Sequence, residues 1–285
     1  MDDPLLATPE EERSAMPRLY DLIEEGLRDL AARINYLHAS WNAPTDEGKA
    51  QFSWCLLLGV LTHDVVSSMV DLIRADRLRA AQILARCLFE YELRLWIYRE
   101  DPAEALRDNE QAPKELRRFF EGQPRTGTAA NRVSAEQMAH LDDYIRNNQG
   151  RVKTRDVWAD VLRRAGGDKD KAQFLYLGRY GFSSSFVHGS GLAFPDVIRT
   201  EGKDTFINWR STNLRPYTLL LEAAFRLIKV VELVETTSGR FQAHVVLERK
   251  YSDIIASHSE RFHRTLETRE ARITTEDGST EQTTG

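Results

Sequence analysis

The chain has 285 residues, with 41% hydrophobic and 29% charged residues and a formal net charge of −5. This composition is typical of a globular protein that buries a sizeable core, and the negative charge argues against a dedicated, strongly basic nucleic-acid binder. The two cysteines, Cys55 and Cys87, lie in apolar helical patterns, which argues against a disulfide framework. The apolar run at 54–61 is far shorter than the ~20 residues that span a bilayer, and the acidic N-terminus lacks a signal-peptide pattern. We therefore expect a cytoplasmic protein without a membrane partner.

Helical periodicity dominates the first half of the chain. Apolar residues at helical spacing predict helices over 17–40, 49–74, 78–100, 102–107 and 113–121. Pro17 is placed near the start of the first helix, where its fixed φ is favourable. The segment RADR predicts a tight turn between the second and third helices.

Capping residues and glycines divide the second half. Ser134 and Gln137 form a capping box for a helix that ends at Gly150, and a helix over 155–164 ends at Gly166 and Gly167. Asp168 is placed as the cap of a helix over 171–188. A β-hairpin over 197–209, a very apolar helix over 217–234 and a last helix over 241–267 are predicted to follow.

This order of elements predicts an all-α fold, a multi-helix bundle with one small β-hairpin excursion. Residues 1–48 are interpreted as an N-terminal helix and linker, 49–268 as a single bundle domain, and 269–285 as a disordered tail, because that tail is polar throughout. The helices at 50–74, 78–100, 171–188 and 217–234 are expected at the centre of the bundle.

The stretch YGFSSSFVHGS, at 180–190, carries the polar groups most able to move protons. On one helix Tyr180, Ser184 and His188 are spaced i, i+4 and i+8, so they form a ladder on one face. Gly181 permits close approach of another helix or a ligand. A histidine before Gly189 also fits a plain helix cap, and serines also fit as small packing residues. Spacing alone leaves both interpretations open.

A second candidate group lies on the third predicted helix. Arg86 and Glu90 stand one turn apart within an apolar stripe, so they are expected to pair with each other and to be largely desolvated. A structural ion pair is one interpretation. In the other, Glu90 orients Arg86 towards an anionic ligand, because a guanidinium binds phosphate or carboxylate with fork geometry. The preceding segment RADRLRAAQILAR, at 74–86, adds to the local positive charge.

The motif RCLFE at 86–90, Trp158, and YGFSSSFVHGS together resemble a bacterial domain-of-unknown-function family, number fifty-six seventy-seven. That family carries a helix with arginine, then leucine or phenylalanine, then glutamate, and a later tyrosine, serine, histidine, serine series. The resemblance covers roughly residues 50–235 and implies an architecture more than an activity. Its matching positions are Arg86, Phe89, Glu90, Tyr180, Ser184, His188 and Ser190.

The helical bundle with a polar histidine helix also resembles HEPN domains, many of which are metal-independent ribonucleases of toxin and phage-defence systems. Their motif places an arginine four to six residues before the histidine. Here the nearest preceding arginine is Arg179, which would point about 180° away from His188 on a continuous helix. The resemblance therefore requires a helix break at Gly181 or a charge supplied by Arg86.

These observations leave three hypotheses open. In the first, a metal-independent ribonuclease or other phosphate-directed enzyme uses His188, Arg86 and Glu90 as catalytic residues, while Tyr180, Ser184 and Ser190 bind the ligand. In the second, the same residues form a non-catalytic sensor or binding module for an anionic ligand or a partner protein. In the third, they are a structural network in an oligomerising bundle.

The expected partners are accordingly RNA or another anionic ligand, and a second copy of the chain. No cofactor is expected. A metal site is the weakest option, because bundle di-metal sites favour paired Glu-x-x-His motifs and the only such spacing here is Glu260–His263. Convergence of His63, Glu90 and His188 is conceivable, but no local pattern requires it.

Overall fold

Long amphipathic segments form the helices of this chain, as the apolar periodicity predicts. The computed structural model describes residues 9–40, 42–110, 139, 143, 156–176, 198–201, 204–207, 214–238, 243–254 and 256. The described elements are α1 (Pro9–Ser40), α2 (Asp46–Arg74), α3 (Leu78–Glu100), α4 (Val157–Arg164), α5 (Lys169–Leu175), β1 (Ile198–Glu201), β2 (Asp204–Ile207), α6 (Pro216–Ser238) and α7 (Ala243–Lys250). Residues 102–110 are also helical.

Helix α1 begins eight residues before the predicted start at Pro17, so that boundary was wrong. Pro9 opens the helix, and Glu10, Glu11 and Glu12 occupy its first turn. Proline suits a first helical position and acidic side chains complement the positive end of the helix dipole, so PEEER is itself a start signal. Pro17 lies inside α1, where the ring removes one backbone donor without ending the helix.

The turn between α2 and α3 lies at the predicted RADR segment. Thr45 caps the start of α2 by accepting a hydrogen bond from the Gly48 N–H at 3.1 Å. At the other end Asp76 has φ of 57°, a left-handed conformation that aspartate tolerates better than most side chains. The two helices can therefore reverse direction within three residues and pack against each other.

Aspartates cap the starts of α4 and α5, and the sequence predicted the cap at Asp168 but not the one at Asp156. Asp156 accepts hydrogen bonds from the N–H groups of Trp158 and Ala159, and Asp168 does the same for Asp170 and Lys171. Between them Gly166 and Gly167 have φ of +69° and +85°, conformations that other residues adopt only with strain.

The predicted hairpin is present as β1 and β2. The strands are antiparallel, with Ile198 opposite Ile207 and Glu201 opposite Asp204. Apart from this two-stranded excursion, the described elements are helices packed against one another, so the predicted all-α multi-helix bundle is confirmed.

The centre of the bundle contains α1, α2, α3 and α6. α1 packs against α2, α6 and α7, while α6 also packs against α2 and α3. Gly26 allows α1 to pack closely against α6, because a Cβ at residue 26 would stand 2.7 Å from Cδ2 of the buried Leu227. α1 therefore contributes directly to the core that the sequence assigned to the later helices.

Several predicted segments fall outside the described residues. They include the helix at 113–121, most of the helix at 134–150, residues 177–188 of the fourth expected central helix, the end of the last helix and the tail at 269–285. The described start of that fourth helix, α5, packs against α4. The division into domains at residues 48 and 268 stays a prediction.

Candidate functional site

Helix α3 brings Arg86 and Glu90 together. The Arg86 Nε donates a hydrogen bond to Glu90 Oε1 at 2.9 Å, as their one-turn spacing predicts. The Arg86 side chain is 18% exposed and that of Glu90 is 30% exposed. The pair is thus formed, but it lies at the edge of the core and is only partly removed from water.

The titratable neighbours of this pair are held in their neutral forms. Burial raises the pKa of the Cys87 thiol, with Glu90 adding to the effect and Arg86 opposing it. Burial also raises the pKa of Tyr91, with further increases from Cys87 and Glu90 and a decrease from Arg94. Both groups are thus neutral hydrogen-bond donors beside the Arg86–Glu90 pair.

Arg94 is a candidate site residue that the sequence argument missed. It lies one turn beyond Glu90, so Glu90 stands between Arg86 and Arg94 on one face of α3. Arg94 is half-buried and makes no ion pair or side-chain hydrogen bond to any described residue. Arg79 belongs to the same face, two turns before Arg86. The spacings of seven and eight residues between these arginines are the sequence signal that could have identified Arg94 as a site residue.

The most deeply buried charges lie on another face of α3. Glu92, which is 0% exposed, accepts hydrogen bonds from Nη1 of Arg226 on α6 and from Nη2 of Arg164 on α4. Arg226, at 2% exposure, also donates from Nε to Glu222 Oε1 at 2.8 Å and lies over the Phe89 ring at 4.8 Å. Two arginines and two glutamates thus form a charge-balanced group that joins three helices.

Electrostatics favours the charged forms of Glu92 and Arg226, the two most buried members of this group. Burial by itself would raise the pKa of Glu92, but Arg226 and Arg164 outweigh that effect and lower it. Burial opposes the charge of Arg226, while Glu222 and Glu92 together raise its pKa. At 100° per residue Glu92 projects about 200° away from Glu90, so this group is separate from the Arg86–Glu90 pair.

A second buried carboxylate stands where α1, α6 and α7 meet. Glu235 accepts from the backbone N–H groups of Ala243 and His244 at 2.9 and 3.1 Å, and the His244 Nδ1 is 2.6 Å from its Oε2. Arg33 of α1 approaches the same carboxylate, with Nε 3.3 Å from Oε1. Glu235 therefore acts as an N-cap for α7 from a different helix.

The later motif lies outside the described residues. That applies to Tyr180, Ser184, His188 and Ser190, so their distances to the Arg86–Glu90 pair stay predictions. Trp158, the remaining motif residue, is half-buried on α4, with its ring edge-on to Tyr176 at a centroid distance of 5.4 Å. Within the described ranges, no group of three or more His, Cys, Asp and Glu side chains is arranged to hold a metal ion.

Comparison of the chain with family models, with curated proteins and with solved structures finds no match. One described helix, α2, is long and apolar enough to cross a membrane by length and composition, but core helices of globular proteins meet the same criterion. The candidate site thus consists of a half-buried arginine bound by a carboxylate and a second arginine one turn beyond that carboxylate, for which the described residues provide no ion pair.

Proposed function

We propose that this chain is a HEPN-like helical protein that acts on RNA as a metal-independent ribonuclease in the bacterial cytoplasm. The observation that supports the proposal is the arrangement of Arg86, Glu90 and Arg94 along α3. Two guanidinium groups on one face, one of them oriented by a carboxylate, suit the fork-like recognition of phosphate oxygens. The resemblance to HEPN domains suggests the proposed reaction type, and we propose a toxin or phage-defence system as its setting.

In the proposed reaction, neutral His188 takes the proton from a ribose 2′-hydroxyl. The 2′-oxygen then attacks the adjacent phosphorus, the bond from phosphorus to the 5′-oxygen of the next nucleotide breaks, and protonated His188 returns its proton to that oxygen, which leaves as a hydroxyl. Arg86 offsets the charge of the phosphorane while Glu90 holds the guanidinium in place. Tyr180, Ser184 and Ser190 position the ribose and phosphate. The products are a 2′,3′-cyclic phosphate and a 5′-hydroxyl end.

The arginine is the part of the HEPN pattern that this chain must supply differently. Arg179 stands at the wrong spacing from His188, and Arg86 replaces it from α3 in the proposed site. Arg86 is suited to that task because its Nε is already bonded to Glu90 at 2.9 Å. Orientation of a guanidinium before binding reduces the entropy lost when phosphate is bound.

The test incubates purified protein with mixed RNA substrates in EDTA and identifies the product ends. His188→Ala is expected to reduce the cleavage rate by about 10²–10⁴-fold, the usual contribution of a positioned acid–base group. Arg86→Lys should also impair cleavage, because an ammonium group cannot reproduce the fork. Arg99→Lys is the matched control, since Arg99 lies on the same helix and pairs with the adjacent Glu100.

Circular dichroism must show equal helical content in these variants. Cleavage that persists in His188→Ala would contradict the role of that histidine. If the wild-type protein cleaves no RNA, with or without a candidate activating partner, the catalytic proposal fails.

A second candidate function is a non-catalytic module that binds an anionic ligand. The observation that favours it is the position of two arginines, Arg86 and Arg94, beside the thiol of Cys87 and the hydroxyl of Tyr91 on α3, because these groups can all donate hydrogen bonds to an anion. Titration calorimetry with a short oligonucleotide and with inorganic phosphate distinguishes the two functions. Binding without cleavage, weakened by Arg94→Gln and by Arg86→Gln, would favour the module.

A further inference from the structure

The outward face of α2 is a continuous exposed stripe along the full length of the helix. The opposite side of α2 packs against α1, α3 and α6. In the middle of the stripe Leu57 and Val60 are 47% and 45% exposed, although both are apolar. Only 39% of the most apolar 18-residue window of α2 is buried. The stripe consists of Asp46, Lys49, Ser53, Leu57, Val60, Asp64, Ser68, Asp71 and Arg74, all of them exposed.

The charges at the two ends of this stripe are complementary to each other. Lys49 and Asp71 lie at equal distances in sequence from Val60, on opposite sides of it. Asp46 and Arg74 are also equally far from Val60, one before it and one after it. If two copies of α2 lie antiparallel with Val60 at the two-fold axis, Lys49 faces Asp71 of the second copy. Asp46 then faces Arg74 of the second copy. Symmetry doubles both contacts.

We propose that a second copy of this chain packs on the α2 stripe and forms a two-fold symmetric, antiparallel dimer. The apolar centre supplies buried area, and Ser53 and Ser68 on either side of it are small enough for the helices to approach at the usual 8–10 Å between axes. α2 has 29 residues and is therefore about 43 Å long, so the charged ends remain within reach of long side chains as the helices diverge.

The charge pattern is what selects a second copy over other occupants. Lys49 already pairs with Asp46 in its own helix, with Nζ 2.9 Å from Oδ1. Asp71 and Arg74 of the second copy would extend this pair into an alternating network of charges at each end. A lipid surface offers no such matching row of charges along the helix. An unrelated protein would satisfy this register only if it repeated the same sequence of charges.

Charge reversal tests the register. Asp71→Lys places two lysines opposite each other, and Lys49→Asp places two aspartates opposite each other, so each change is expected to raise the dimer Kd at least tenfold. The double variant Lys49→Asp with Asp71→Lys restores opposite charges across the axis, and its Kd should lie within about threefold of wild type. Sedimentation equilibrium measures these constants, with a dimer mass of twice 32.7 kDa.

Cross-linking tests the position of the axis. Val60→Cys should form an interchain disulfide on mild oxidation, because both copies of residue 60 lie at the axis. Ser53→Cys is the matched control, since its two copies would lie about 21 Å apart along the helices. The wild-type chain, with Cys55 buried and Cys87 half-buried, gives the background.

Three outcomes would overturn the proposal. One is a monomer at all concentrations up to the limit of solubility. Another is a dimer whose Kd does not respond to Asp71→Lys, or is not recovered in the double variant. The third is a monomer that floats with phosphatidylcholine vesicles through Leu57 and Val60, which would assign the stripe to a lipid surface.

Discussion

Removing the charge of Glu92 should destabilise the fold strongly. Glu92→Gln keeps the side-chain shape but leaves the buried Arg226 with Glu222 as its one remaining charged partner among the described residues. Breaking a buried ion pair by removing one partner costs about 3–5 kcal/mol. We expect a loss of about 3 kcal/mol, at the lower end of that range, because the glutamine oxygen still accepts one hydrogen bond and Arg164 can turn towards water. That loss is a large fraction of the stability of an ordinary domain.

Replacing both buried charges should cost less than the two separate losses added together. Arg226→Met leaves Glu92 in the core with Arg164 as its remaining ion-pair partner in the described part of the chain, whereas Glu92→Leu with Arg226→Met removes both buried charges. Apolar replacements of a whole buried pair are often neutral in stability. The remaining charges, Arg164 and Glu222, are partly exposed and keep contact with water. The double variant should therefore recover at least ~2 kcal/mol relative to additivity.

The assay is urea unfolding followed by circular dichroism, with Glu100→Gln as the control. Glu100 pairs with Arg99 at the surface, so its loss should change the unfolding free energy by no more than about 1 kcal/mol. A loss below about 1 kcal/mol for Glu92→Gln, or additivity in the double variant, would refute the reasoning. Equal slopes of free energy against urea concentration would show that the native state has kept its compactness.

Acid titration provides an independent check on the same residue. Arg226 and Arg164 outweigh burial and hold the pKa of Glu92 below its ordinary value of 4.5. Between the lowered pKa of Glu92 in the folded state and its ordinary pKa of 4.5, the folded state therefore binds fewer protons than the unfolded state. The stability of the fold rises with pH across that window. The contribution of Glu92 is fully present above about pH 4.5 and is lost as the pH falls through the lowered value. Glu92→Gln should lack this part of the acid dependence.

Two further predictions concern close packing and thiol burial. Gly26→Ala should lower the unfolding free energy by about 1 kcal/mol, because overpacking against Leu227 outweighs the gain in helix propensity. Urea unfolding measures this change, and a net stabilisation would contradict the prediction. Burial raises the pKa of Cys55 to about 11, so in a Cys87→Ser background its thiol should react with a disulfide reagent only as fast as the protein unfolds. Labelling of the native state within seconds would show that Cys55 is accessible.

The helices could be predicted from the sequence because local signals agree there. α2, α3 and α6 have regular apolar spacing, and Asp168 and Gly166 stand at the predicted helix ends. The start of α1 was misjudged because two prolines compete as first-turn residues. The triple glutamate after Pro9, rather than the position of Pro17, identifies the true start.

The Arg86–Glu90 pair was predictable for the same reason: both partners lie one turn apart on one helix. The contact between Glu92 and Arg226 was not, since its partners are separated by 134 residues. Arg226 inside a very apolar helix indicates that a buried counter-charge must exist. Which glutamate supplies it depends on how α3 and α6 pack, and helical periodicity does not determine that packing.

The last prediction concerns the docking of α7 through Glu235. This buried carboxylate accepts the N–H groups of Ala243 and His244, and it also contacts the His244 ring and Arg33. In Glu235→Gln an amide nitrogen replaces one carboxylate oxygen. This nitrogen cannot accept the hydrogen bond that the replaced oxygen accepted from a backbone N–H group.

Loss of an N-cap alone costs about 0.5–2 kcal/mol, and the lost ionic contacts add to it. Because α7 has eight residues and packs against α1 and α6, we expect it to open locally while the central helices stay folded. Hydrogen exchange should then become at least tenfold faster for the amides at 243–250 and stay unchanged in α2 and α3. Glu232→Gln is the control, because it removes one carboxylate that pairs with Lys229 while Glu248 still pairs with the same lysine. Equal exchange in the two variants would show that Glu235 does not hold α7 in place.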